Sequence, residues 1–118
     1  MIKDNLIQQK SFEFALDIIK LYKYLKEKNE FVLSKQILRS ATSIWANIEE
    51  AIGGQTKKDF LAKIYIALKE SRETKYRLRL LDKSQFVKYN YDKYINDIES
   101  MINILTKISK TTSESLKK

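Results

Sequence analysis

Apolar residues along this chain return every three or four positions in four separate stretches, which read as helices rather than strands. The first stretch runs roughly from Phe12 to Lys28, with Ser11 as its expected cap. Phe12, Ala15, Ile19, Tyr22 and Leu25 or Lys26 recur there at helical spacing, and Leu16 and Ile18 widen the stripe. The polar segment "EKNEF" breaks the pattern. A second helix is predicted from Ser34 to Ile52, ended by Gly53-Gly54 with a left-handed residue. A third runs from Lys57 to Lys83, capped by Thr56, with Asp59 three positions on as a short capping box. The fourth runs from Asn90 to Lys110 on the stripe Tyr91, Tyr94, Ile95, Ile98, Ile102, Leu105 and Ile108. The polar tail "KTTSESLKK", residues 111–118 with Lys110, reads as frayed.

Proline is absent and the glycines are Gly53 and Gly54, so little interrupts the helices. Short connections make successive helices antiparallel neighbours. The expected fold is all-α, an up-down-up-down antiparallel four-helix bundle forming a single domain over residues 1–118. The alternative is a helical hairpin completed by partner chains.

At 100° per residue, Ile37, Leu38, Ala41, Ile44, Trp45, Ile48, Ala51 and Ile52 share one sector of the second helix, the predicted core face, with Trp45 inside it. Ser40, Ser43, Asn47 and Glu50 form a second line beside that sector. Serine, threonine and asparagine compete with the backbone for hydrogen bonds and are weak helix formers. Their alignment is either a polar site for a ligand or RNA, or a ridge of small residues for close helix approach, with Asn47 and Glu50 bonding across it. The second reading is preferred.

The third helix looks outward on more than one side. Phe60, Ile64, Ala67, Leu68, Ser71 and Leu78 face inward, and Leu61 widens that face. On another sector Lys58, Tyr65, Lys69, Arg72, Tyr76, Arg79 and Lys83 alternate cations with tyrosines. Such a stripe suits a phosphate backbone with occasional base stacking; the competing reading, preferred on the residues alone, is a solvated face whose aliphatic stems cover the tyrosines. Ile66 and Leu80 lie nearly opposite the core face, and Met101 and Ile104 lie off the central stripe of the fourth helix. These four are the candidate oligomer contacts. Glu73, between Ile66 and Leu80, is placed to meet Arg77 or Arg39.

Composition removes most chemistry. There is no Cys and no His, which excludes disulfides, thiol nucleophiles, zinc sites built on those residues and histidine acid-base catalysis. A Ser-Lys pair cannot be read from sequence. Glu49, Glu50, Glu70 and Glu73 leave a carboxylate-only magnesium site as a minor alternative to pairing charges. The expectation is no catalytic residue, no metal, no cofactor and no small-molecule substrate. Lys and Arg total 23 against 15 Asp and Glu, and the resulting +8 favours anionic partners. No apolar run approaches the ~20 residues that span a bilayer, and "MIKDNLIQQKSFEF" lacks a signal-peptide pattern. A cytoplasmic protein with no membrane partner is expected.

"FEFALDIIKLYKYL", "LSKQILRSATSIWANIEEAIGG" and "KKDFLAKIYIALKESRETKYRLRLL", covering Phe12 to Leu81, resemble a small bacterial family encoded by intervening sequences in 23S ribosomal RNA genes. The residues matching its pattern are Arg39, Ser43, Ile44, Asn47, Ile48, Glu50, Gly53 and Glu73; Trp45 departs from it, at a position that usually carries a small residue or proline. The resemblance implies a four-helix bundle that assembles through its long helices, commonly as a homopentamer. The family is also similar to the accessory protein of diversity-generating retroelements, a basic pentameric barrel that works with nucleic acid and a reverse transcriptase. RNA or DNA is the implied partner, and no catalytic residues are implied. With Arg39 and Glu73, the serine line becomes an assembly ridge: Arg39, Ser40, Ser43, Asn47, Glu50 and Glu73. The competing class is a homo-oligomeric interaction scaffold whose positive charge is incidental.

Overall fold

Four α-helices follow one another: α1 (Asp4–Glu27), α2 (Leu33–Ile52), α3 (Lys57–Ser84) and α4 (Asp92–Leu116). They come from a computed structural model that describes residues 4–117, with side chains from Leu6 onward. Met1 to Lys3 and Lys118 of the expected 1–118 unit lie outside the described residues. The helices pack α1 on α2, α2 on α3 and α3 on α4, and a shorter α1–α4 seam closes the circuit. This is the all-α, up-down-up-down four-helix bundle that the pattern predicts, a prism of 51 × 22 × 20 Å.

One continuous apolar core runs down its axis. Ile18 and Leu25 of α1 meet Ile44 and Ile48 of α2, Ile64 and Leu78 of α3, and Ile98 and Leu105 of α4. The α1–α4 seam is also bridged on its surface, where Lys93 donates to Asp17 and Asp97, each at 2.9 Å. Those two hydrogen bonds hold the Lys93 ammonium well above its ordinary pKa.

Each end has a local cause. Helix α3 starts where the Thr56 hydroxyl accepts the Asp59 N–H at 3.0 Å, the predicted cap. Helix α1 stops at Asn29, which takes the left-handed conformation (φ 65°) while the Glu30 N–H reaches back to the Leu25 carbonyl at 2.9 Å. Helix α3 stops at Gln85 (φ 45°) in the same way. The left-handed residue expected at Gly53-Gly54 is absent, since neither glycine has positive φ. Gly54 instead gives room: a Cβ there would lie 3.1 Å from the Ala51 carbonyl oxygen.

Several expected boundaries and faces shift. Helix α1 begins at Asp4, so Ser11 is no cap; it is buried mid-helix and its hydroxyl donates to the Gln8 carbonyl. The true inward line of α1 is Ile7, Phe14, Ile18, Leu21 and Leu25, whereas Phe12 and Leu16 stay exposed. Starting the helix at Phe12 hid Ile7 and rotated the stripe toward α2. Helix α4 runs on to Leu116 rather than fraying after Lys110, with Lys57 of α3 donating to the Ser115 hydroxyl at 2.6 Å. Trp45 sits at the edge of the α2 core face, its ring 5.7 Å from that of Phe12.

Candidate nucleic-acid interface

Helix α3 turns its buried line of Phe60, Ile64, Leu68, Ser71, Leu78 and Leu81 toward the bundle axis. The opposite side carries Lys58, Tyr65, Lys69, Arg72, Tyr76, Arg79 and Lys83, all exposed. Tyr65 is 49% and Tyr76 64% exposed, so lysine and arginine stems leave much of both rings open. At 1.5 Å per residue the stripe spans roughly 37 Å.

The cations of α3 divide by position. Lys63 pairs with Glu50 of α2 at 3.3 Å, Lys75 with Glu99 of α4 at 3.2 Å, and Arg77 with Glu73 at 3.8 Å. Lys63 and Lys75 are drawn into the seams with α2 and α4, and Arg77 pairs one turn back within α3. Among the described residues, none of Lys58, Lys69, Arg72, Arg79 and Lys83 has a carboxylate partner. The outer face therefore presents unneutralised positive charge interleaved with open aromatic rings.

The small polar ridge faces α3. Ser40 is fully buried and its hydroxyl lies 2.7 Å from that of Thr74. Glu50 crosses to Lys63. Asn47 does not cross; its amide donates back to the Ser43 carbonyl at 2.9 Å, because the turn within α2 is nearer than the neighbouring helix. Arg39 lies 3.7 Å from Glu70 and 3.9 Å from Glu73, which also meets Arg77. Glu70 Oε2 and Arg77 Nη1 are buried there without a hydrogen-bond partner.

Ile66 and Leu80 lie beside this ionic cluster, 41% and 39% exposed. Met101 does not belong with them: it is buried in the core, because Ile98, Met101 and Leu105 form the actual inward line of α4. Ile104 is half-buried and packs against that core.

Two features escaped the sequence reading. The first is the buried carboxylate of Glu30, which accepts the N–H groups of Val32, Leu33 and Ser34 at 3.0, 3.1 and 2.6 Å. It caps α2 from within "EKNEF", three residues before the helix, and its position before an apolar residue was the available signal. The second is the aromatic group of Tyr24, Tyr89, Tyr91 and Tyr94 around the start of α4. Burial, then the charges of Tyr24 and Glu30, push the Tyr91 hydroxyl up to about 12.

The four glutamates considered for magnesium do not converge. Glu49 accepts from Gln8, Glu50 pairs with Lys63, and Glu70 and Glu73 face arginines. Among the described residues, no group of three or more His, Cys, Asp or Glu side chains could hold a metal ion. No described helix is long and apolar enough to cross a membrane.

The family model described as 23S rRNA-intervening sequence protein matches residues 3–107. The chain is also similar to the crystal structure of a protein of unknown function from the S23 ribosomal protein family of Bacteroides thetaiotaomicron. The two share 48% identity and superpose with a TM-score of 0.86, over 92% of this chain and 98% of that one. No curated protein matches.

Proposed function

The chain belongs to the 23S rRNA-intervening sequence protein family, and from that premise we propose that it is a non-catalytic, homo-oligomeric protein that holds structured nucleic acid, RNA before DNA, against the outer face of α3. The observation that carries this reading is the division of the α3 cations. Lys63 and Lys75 at the seams are paired with Glu50 and Glu99 and Arg77 with Glu73 of α3, while Lys58, Lys69, Arg72, Arg79 and Lys83 have no partner among the described residues and share a face with Tyr65 and Tyr76. Phosphate neutralisation by such a stripe releases counterions, so affinity falls steeply with salt. Binding of a labelled RNA hairpin across a salt series tests it. A flat salt dependence, or no binding near physiological salt, rejects the reading. Changing Lys69, Arg72 and Arg79 together to Glu abolishes binding and leaves helicity unchanged.

A second reading, an interaction scaffold, draws support from the cluster around Ile66 and Leu80. Both side chains are open to solvent on the back of a core helix, and a second copy covering this edge would supply their apolar contact. The family resemblance favours a ring of five. Light scattering with mass determination decides: a concentration-independent monomer rejects assembly.

A further inference from the structure

We propose that the end of the bundle beyond α3 carries a stacking pocket for one unpaired nucleobase, with the adjoining phosphate held by Lys28 and Lys88. A shallow pocket of about 290 Å³ opens there between the end of α1 and the α3–α4 loop, lined by Tyr24, Lys28, Phe86, Val87 and Lys88. Phe86 is 71% exposed, more than any other large apolar side chain described. An open phenyl ring at the rim of a pocket offers a face on which a base can stack.

The loop that presents Phe86 is held in place. Gln85 takes the left-handed conformation, and its side-chain amide donates to the carbonyls of Asp82 and Tyr89 at 2.9 and 3.2 Å. The Gln85 side-chain oxygen accepts the Tyr89 N–H at 3.3 Å. Beneath it, buried Tyr91 donates to the Val87 carbonyl at 2.8 Å. Tyr89 packs on Tyr24 with centroids 4.7 Å apart, and Lys28 Nζ lies 5.6 Å over the Tyr24 ring. The loop backbone that carries Phe86 and the Tyr24–Tyr89 pair are thus fixed before binding, which limits the ordering cost.

The chemistry selects the occupant. The lining holds two ammonium groups and no carboxylate, so it suits an anion. An open phenyl ring, that of Phe86, beside cations is the combination by which proteins hold single strands, because every base offers a π-face and every link a phosphate. Arg79 and Lys83, the last cations of the α3 stripe, lie within two turns of Gln85. The proposal rests on the α3 reading and adds to it a preference for an unpaired end.

The test compares a fluorescein-labelled RNA hairpin carrying a short adenosine overhang with the same hairpin carrying an abasic overhang of equal length. Phosphates are matched, so the difference isolates the base. The wild-type chain prefers the adenosine overhang by at least about five-fold, a typical effect of one stacked base. Phe86→Ala and Phe86→Leu remove that preference without changing affinity for the blunt hairpin, and Phe86→Trp retains it. Equal affinity of the wild type for the two overhangs, or a preference that survives Phe86→Ala, overturns the pocket while leaving the α3 stripe standing. Failure to bind any hairpin overturns both. Phe86-dependent binding to phosphatidylserine vesicles, with no base preference, replaces the nucleobase by a lipid surface and equally overturns the proposal.

Discussion

The hydroxyls of Ser40 and Thr74 lie 2.7 Å apart in the seam between α2 and α3, with no exposed surface on either residue. Thr74 also reaches the Glu70 carbonyl at 2.8 Å and Ser40 the Ile37 carbonyl at 3.3 Å, so either hydroxyl can donate to the other and the pair links the backbones of α2 and α3. A pair of small hydroxyl residues lets the two helices approach closely while leaving no buried hydroxyl unsatisfied.

Ser40→Ala is expected to cost about 1 kcal/mol, since Thr74 keeps its bond to Glu70. A double-mutant cycle with Thr74→Ala should give a coupling of about 0.5–1.5 kcal/mol. Ser40→Leu, which forces bulk into the seam, should cost about 1–3 kcal/mol. Urea denaturation measures all of these; an additive cycle would show that the hydroxyl contact contributes nothing specific.

Glu30 gives a sharper expectation. Its carboxylate satisfies three N–H groups at the start of α2, where Val32, the residue at the cap position, offers no side-chain bond. Glu30→Ala leaves those donors to find water in a buried site. The loss should be about 1–3 kcal/mol. Glu30→Gln, which keeps an oxygen acceptor and loses the charge, should fall between wild type and alanine. A shift in urea midpoint at constant m-value checks this, and an unchanged midpoint for Glu30→Ala refutes the capping role.

These two sites show what the sequence could and could not reveal. The bundle was legible because each helix carries an apolar face at 3.6-residue spacing, and Thr56 was legible because a cap and its acceptor are local. The seven residues of the α3 stripe share a face for the same local reason. Glu30 was missed because a carboxylate in a polar loop looks solvated until its burial is known. The phase of α1 was missed because polar Gln8, Gln9 and Lys10 masked Ile7, whose burial depends on the other helices. Met101 was misassigned because α4 has apolar residues on several sides, and only the neighbours decide which line points inward. The neutralisation of Lys63 and Lys75, and not of Lys69 or Arg79, is likewise a tertiary fact: the partners Glu50 and Glu99 lie on different helices.

That division predicts two classes of charge reversal on one helix. Lys63→Glu with Lys75→Glu should lower stability modestly, by about 0.2–1 kcal/mol per lost pair and more where like charges meet, and should leave RNA affinity nearly unchanged. Lys69→Glu with Arg79→Glu should do the reverse. Thermal unfolding and hairpin binding, run on both pairs at the same salt, separate the classes. Equal loss of RNA affinity in both would mean that net charge, and not the stripe, sets binding.

The buried tyrosines set a limit at alkaline pH. Burial raises Tyr91 to about 12 and, with a hydrogen bond to Tyr89, raises Tyr94 to about 12, from an ordinary value of 10.0. Below about pH 9 both the folded and unfolded chains keep these protons, and the contribution to stability is fully present. As pH climbs from about 9 toward 12 the unfolded chain ionises first, so it binds fewer protons than the folded chain and stability falls. Ionisation of Tyr91 would also break its bond to the Val87 carbonyl, the bond beneath the loop that presents Phe86. Lys93 is raised as well and loses its contribution over an overlapping range, so the wild-type curve alone cannot apportion the loss. Tyr91→Phe removes one phenol and leaves Lys93 untouched. Its urea midpoint should fall less than that of the wild type between about pH 9 and 11. Tyrosinate absorbance should show, in the folded wild type, a late-titrating fraction that shrinks in the variant. Parallel pH slopes for the two proteins would show that the Tyr91 proton is not linked to folding.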